Sequence, residues 1–180
     1  LKSNAPAKGF DLHNFVFLKQ KTMATVRDKA IQDIVDLNEL EEIIKRCDIC
    51  HVGMVDGDEP YVLAFNFGYE DQTVWLHCAK EGKKLEVLKR NNNVCIAFNA
   101  DQKLFARHEQ VACSWRMAYR SVQIHGQAIL LEDEEEKMKG LSIMMKNYSD
   151  KEFKYSKPAV DNIMVIKIPV AAITGRQFEY

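Results

Sequence analysis

No apolar run in this chain of 180 residues comes near the roughly 18 to 20 residues that a membrane-spanning helix requires. The cluster Phe15-Val16-Phe17-Leu18 is likewise too small for the core of a secretory leader, so a cytoplasmic protein with no membrane partner is expected. A surplus of positive charge is missing too. The 25 basic and 26 acidic residues leave a formal net charge of -1. A dedicated nucleic-acid binder carries a basic excess, so the expected partner is a small molecule or a second copy of the chain. Cysteine is sparse and odd in number, at Cys47, Cys50, Cys78, Cys95 and Cys113, mostly inside apolar segments. That pattern suits reduced, buried thiols and not a disulfide framework.

Cofactor signatures are also thin. There is no G-x-G-x-x-G, so a nicotinamide has no Rossmann seat here and would have to bind transiently. Cys47-Asp48-Ile49-Cys50-His51 fits the C-x-x-C-H spacing of covalent haem attachment. Such attachment belongs with exported proteins, and this segment straddles an expected helix end and a strand. A second Cys/His pair at ligand spacing is absent, so no metal site is expected. As a dithiol redox pair, the cysteines lack the surrounding βαβ pattern.

What is present is ordinary globular composition: 47% hydrophobic residues, enough for one domain with a single core, expected over residues 23–180. Residues 1–22 show no sustained period and read as an N-terminal extension or appended arm before Met23. An Asn38 cap with Glu41 predicts a short helix bearing Leu40, Ile43, Ile44 and Cys47 on one stripe. The runs Cys50–Val55 and Tyr61–Tyr69 around Asp56-Gly57-Asp58 predict a hairpin, with a further strand at Thr73–Cys78. A helix behind Gly82 then leads to a strand at Val94–Phe98, and a long strand is expected at Ser121–Leu131. Asp133 and Glu136 pair as a cap for a helix through about Tyr148, with Met138, Leu141, Met145 and Tyr148 as its inner stripe. The last strand is Ile163–Ile168, which Pro169 ends or places at an edge. Six strands with few helices predict a mainly β fold, a small barrel with flanking helices.

The richest stretch for chemistry is Val74–Leu88, where a strand runs through Gly82 into a helix opening with Lys83 and Lys84. Free amides at a helix start, the positive end of its dipole and two ammonium groups make a phosphate seat. Read without that context, the two lysines are solvated charges on a helix face. His77 lies one short loop away; by itself it reads as a half-buried strand histidine or as a proton donor.

The segments CHVGMVDGDEPYVLAFNFGY, LHCAKEGKKL, RSVQIHGQAIL and AITGR, spread over roughly residues 27–176, resemble the Nim-type 5-nitroimidazole reductases. These belong with the flavin-binding split barrels related to pyridoxamine 5'-phosphate oxidase. The resemblance implies a six-stranded FMN-binding split barrel and a homodimer with two FMN sites at the subunit interface, FAD being the alternative flavin. It implies that Tyr61, Val62, Leu63, Ala64, Phe65 and Asn66 line the flavin through their backbone, and that Gly82, Lys83 and Lys84 hold its phosphate. His77, followed by Cys78 and Ala79, corresponds to a string facing the substrate side of the flavin, with Leu76 and Cys78 departing from the usual residues. Arg120, Ser121 and Val122 match a strand that reaches the cofactor from the partner chain, next to Tyr119. Trp115, Tyr119 and Phe105, expected in a loop, are candidates for covering a substrate cleft between protomers.

The expectation is therefore an FMN-dependent oxidoreductase that reduces a small electron-poor substrate, such as a nitro-heterocycle, with reduced nicotinamide or another electron donor. His77 is the candidate catalytic residue. The alternatives are a pyridoxamine-phosphate-oxidase-type reaction and a non-catalytic flavin- or haem-binding module.

Overall fold

Six long strands carry the architecture of the computed structural model, which describes residues 30–180. The expected N-terminal arm, 1–22, and the start of the domain at 23 lie outside these residues. In chain order the elements are β1 (Ile31–Ile34), α1 (Leu37–Lys45), β2 (Cys50–Asp56), β3 (Glu59–Phe65), β4 (Gly68–Glu70), β5 (Thr73–Ala79) and α2 (Lys83–Arg90). They continue with β6 (Asn93–Ala106), β7 (Trp115–Gln127), β8 (Ile129–Leu131), α3 (Glu134–Lys146), α4 (Lys157–Asp161) and β9 (Ile163–Phe178). The six expected strands are β2, β3, β5, β6, β7 and β9; the short β1, β4 and β8 raise the count to nine. All pairings are antiparallel, in the order β3-β2-β6-β7-β9-β5-β4, with β1 and β8 attached to β9.

The alternation that predicted these strands also builds the core. Val52 and Met54 on β2, Ile96 and Phe98 on β6, Val122 and Ile124 on β7, and Ile166 and Ile168 on β9 all point inward and are buried. Leu40, Ile43 and Ile44 of α1 and Leu85 and Leu88 of α2 close the same core from outside the sheet. A second, smaller cluster joins Trp75 and Val165 to Ile143 and Met144 of α3.

Four local readings are corrected. The cap of α1 is Asp36, not Asn38: its Oδ1 accepts from the Asn38 N–H at 2.9 Å, so the helix starts one residue before Asn38. Pro169 neither ends β9 nor puts it at an edge. It sits where β9 changes partners, with β5 and β8 pairing to its first half and β7 and β1 to its second. The register of β7 against β9 shifts just there, and an irregularity of that kind absorbs a residue without an N–H. The predicted strand Ser121–Leu131 begins earlier, at Trp115, and breaks at Ala128 into β7 and β8.

The inner stripe of α3 is the fourth correction. Its buried residues are Lys137, Gly140, Ile143 and Met144, while Met138, Leu141 and Met145 are half-buried. The cap is as expected, Asp133 Oδ1 accepting from the Glu136 N–H at 2.9 Å. The rotation follows from two glycines, Gly140 admitting the Trp75 ring and Gly68 the backbone of α3. A Cβ on Gly140 would lie 2.7 Å from the Trp75 ring, and one on Gly68 would lie 2.7 Å from the Met144 backbone nitrogen and Cα. Backbone cannot give way as a side chain does. Gly68→Ala should therefore cost about 1–3 kcal/mol of stability, measured as a lower urea midpoint. A wild-type midpoint would contradict the close packing of α3 on β4.

Candidate functional site

The start of α2 leaves its first amides uncapped by any side chain. Gly82 caps it at φ 125°, a conformation that side-chain-bearing residues rarely adopt, and no side chain caps the first turn. A Cβ there would meet nothing within 4 Å, so the glycine is required by backbone conformation and not by crowding. Leu85 and Glu86 donate to the Gly82 carbonyl, leaving the earlier amides of the turn without helical partners. Their N–H groups and the positive end of the dipole face one point.

Both lysines turn toward β3. Lys83 Nζ lies 4.8 Å from the centre of the Tyr61 ring, and Lys84 Nζ lies 6.0 Å from that of Phe65. Lys83 also pairs with Asp56 at 3.0 Å, and Asp56 holds Arg90 from the far end of α2. This carboxylate was read from sequence only as a hairpin turn; nothing local links it to a lysine 27 positions on. The Lys83 side chain is 62% exposed, and a surface pair of this kind contributes little.

Tyr61, Leu63 and Phe65 face the core, whereas Val62, Ala64 and Asn66 are exposed, so any ligand over β3 meets small side chains and backbone. Among the described residues β3 pairs with β2 alone, and its other edge presents unpaired N–H and C=O groups. On β5, opposite Val165, His77 points outward with Ala79, while Cys78 points into the core. Partial burial pushes the His77 imidazole below its ordinary value, favouring the neutral ring at neutral pH. Burial raises the Cys78 thiol, with Lys84 acting in the opposite sense, so that sulfur stays protonated.

A family model described as pyridoxamine 5'-phosphate oxidase matches residues 36–177. The chain belongs to this family. Among solved structures, a proposed 5-nitroimidazole antibiotic resistance protein from Bacteroides thetaiotaomicron is 43% identical, covering 82% of this chain and 89% of that one, with a TM-score of 0.73. The flavocytochrome Anf3 from Azotobacter vinelandii, 19% identical, covers 89% of this chain and 74% of its own at a TM-score of 0.70. A FAD and haem binding protein from Mycobacterium smegmatis, 13% identical, covers 82% and 74% at 0.72. The last two share the fold alone. A comparison with curated proteins finds no match.

In this member of the pyridoxamine 5'-phosphate oxidase family, the remaining expected site residues stand apart from α2. Tyr119 and Ser121 lie on β7, three strands from β3 and so roughly 14 Å across the sheet. Ser121 sits on the outer face, and Tyr119 stacks on Phe178 with centroids 6.0 Å apart. Arg120 turns inward to Asp101 at 2.8 Å, a carboxylate held below its ordinary value first by Arg120 and then by Arg46. Trp115 and Phe105 are not in a loop: the β6–β7 hairpin extends as a two-stranded arm. Trp115 shares one face of it with Leu104 and Met117, and Phe105 pairs with Arg116 on the other.

The C-x-x-C-H segment divides between the two sides of the sheet. Cys47 and Cys50 are buried in the core, the Cys50 thiol pushed up to about 12 by burial, while His51 faces outward. Two core thiols facing away from the histidine cannot take a covalently attached haem. All five cysteines are free, and no cluster of His, Cys, Asp and Glu among the described residues could hold a metal ion.

Proposed function

We propose that this protein binds FMN and reduces a small electron-poor substrate over it, with a nitro group on an aromatic heterocycle as the leading case. The observation that carries the reading is the convergence of Gly82, Lys83 and Lys84 on β3, a strand with an unpaired edge and small exposed side chains. A flavin mononucleotide needs a dianion seat and fixed backbone donors and acceptors, and the start of α2 and the open edge of β3 supply these two. The likeness to the Bacteroides protein, at 43% identity over most of both chains, points to the same substrate class. Flavin held by these residues would supply reversible redox chemistry, with reduced nicotinamide or another donor as the source of electrons.

The chain's own residues do the rest. The amides of the α2 first turn and the two lysines hold the phosphate; the β3 backbone orients the ring; His77 moves a proton at the reaction face. Tyr119 and Ser121, on β7, reach the flavin in this reading from the second subunit of a homodimer. The cofactor test is the mass of the molecule released by denaturing the purified protein, which separates FMN from FAD and sinks the reading if no flavin is found. Turnover then follows from bleaching by a nicotinamide and reoxidation by a nitroimidazole.

His77→Gln is expected to retain flavin while lowering turnover roughly 100-fold, the scale of a lost general acid. Because burial lowers the His77 value, the step that needs its proton should accelerate as pH falls below about 6.5, the ordinary value of a histidine. His77→Gln should remove that limb from the pH–rate profile. Loss of flavin in the variant, or a profile with the limb intact, would contradict a reaction-face role.

A further inference from the structure

Alternation along β2 carries Val52 and Met54 into the core and brings Asp56, two residues on, to the same face, where α2 packs. Gly57, at φ 67°, turns the chain there, so Asp56 is fixed at a strand end with Glu59 opposite. Its carboxylate reaches both ends of α2. Oδ2 lies 3.0 Å from Lys83 Nζ and Oδ1 lies 2.5 Å from a guanidinium nitrogen of Arg90. The Asp56 side chain is 24% exposed, against 62% and 64% for the two cations, so the anion is the fixed member of the trio. Lys83 is held a second time, by the Tyr61 ring. Lys84 has no carboxylate partner among the described residues, so of the two lysines at the start of α2 only Lys83 already has an anion.

We propose that Asp56 is a built-in competitor of the flavin phosphate, holding Lys83 until a phosphomonoester displaces it, with Arg90 setting how readily it yields. Asp56 competes only if the start of α2 seats the phosphate, so the proposal rests on that reading and adds what regulates the seat. Each Asp56 oxygen has its own cation, and release of Lys83 leaves the carboxylate paired with Arg90 instead of bare. The exchange then stays within the range of one exposed ion pair, at most about fivefold in a dissociation constant. Lys83 rearranges little in making it, since the Tyr61 ring keeps its ammonium beside β3. A ligand gains from the exchange through the charge it brings. A phosphomonoester carries about 1.5 to 2 negative charges at neutral pH, and a flavin without phosphate brings none to this point.

Asp56→Asn keeps the shape of the side chain and removes its charge. Titrated with FMN by ring fluorescence, the variant should bind about fivefold more tightly than wild type, whereas riboflavin, which lacks the phosphate, should bind both equally. Arg90→Gln should weaken FMN by a similar factor, and adding it to Asp56→Asn should change nothing further. In a Lys83→Ala background the gain from Asp56→Asn should vanish, because the competitor acts through that lysine. A mere strut between the β2–β3 turn and α2 predicts the opposite sign, with weaker FMN binding and a lower melting temperature in Asp56→Asn.

Unchanged or weaker FMN binding in Asp56→Asn, an equal gain for riboflavin, or a gain that survives Lys83→Ala would overturn the proposal. Inorganic phosphate, followed through the Lys83 and Lys84 amide resonances, separates the two readings. If phosphate binds with the same dependence on Asp56 and flavin does not bind, only the flavin reading sinks. If flavin binds with no dependence on Asp56, only the competitor role does, and binding of neither sinks both.

Discussion

Reversing both charges at the start of α2, Lys83→Glu with Lys84→Glu, should strip the protein of flavin. In the proposed seat each lysine would offer the phosphate a charge-assisted hydrogen bond worth about 1.5–3 kcal/mol, so losing both raises Kd by roughly two to four orders of magnitude before repulsion is added. The fold should survive, because the Lys83 side chain is 62% exposed and its tie to Asp56 is a surface pair. Lys84→Ala alone should be more harmful than Lys83→Ala alone, since Lys83 is already shared with Asp56. Titrating apoprotein with FMN and following ring fluorescence gives the constants, with circular dichroism as the control. Wild-type affinity in the doubly reversed protein would remove the phosphate seat from the account.

Phe98→Ala should produce the largest loss of stability, about 3–5 kcal/mol. Phe98 is 0% exposed in the middle of β6, and its ring meets that of Phe67, also 0% exposed, edge to face at 4.9 Å. The surroundings are strands paired on both sides of β6, which cannot collapse into the space left behind. At about 2–4 °C per kcal/mol for a domain of this size, the thermal midpoint should fall by roughly 6–20 °C. Phe67→Ala should cost a similar amount. The double variant should lose less than the sum by about 0.5–1.5 kcal/mol, the share belonging to the ring pair. Strict additivity in urea titrations would show that the rings contribute by burial alone.

The barrel strands were legible because strand alternation is a local property. Val52 and Met54, or Ile166 and Ile168, must face one way whatever lies beyond them. The same holds for the capping pair of Asp133 and Glu136 and for Gly82 before Lys83, where chain neighbours carry the signal. The stripe of α3 was misread because hydrophobicity favoured Met138 and Leu141. The close approach of Gly140 to Trp75 and of Gly68 to Met144 turned Lys137 and Gly140 inward instead. Pro169 misled for the same reason: a missing N–H argues for an edge only when both sides of the strand need pairing at that residue.

The sequence by itself determined the mainly β class and the six long strands, which rest on periodicity, and the glycine before the α2 helix, which rests on residues adjacent in the chain; the family showed in the resemblance of whole segments. Tertiary structure alone decided what register and packing create. It paired Lys83 with Asp56, separated Cys47 and Cys50 from His51 across the sheet, and set Tyr119 and Ser121 three strands from β3. The physical reason is that a side chain's facing follows from its own strand, while its neighbours belong to strands placed beside it by folding.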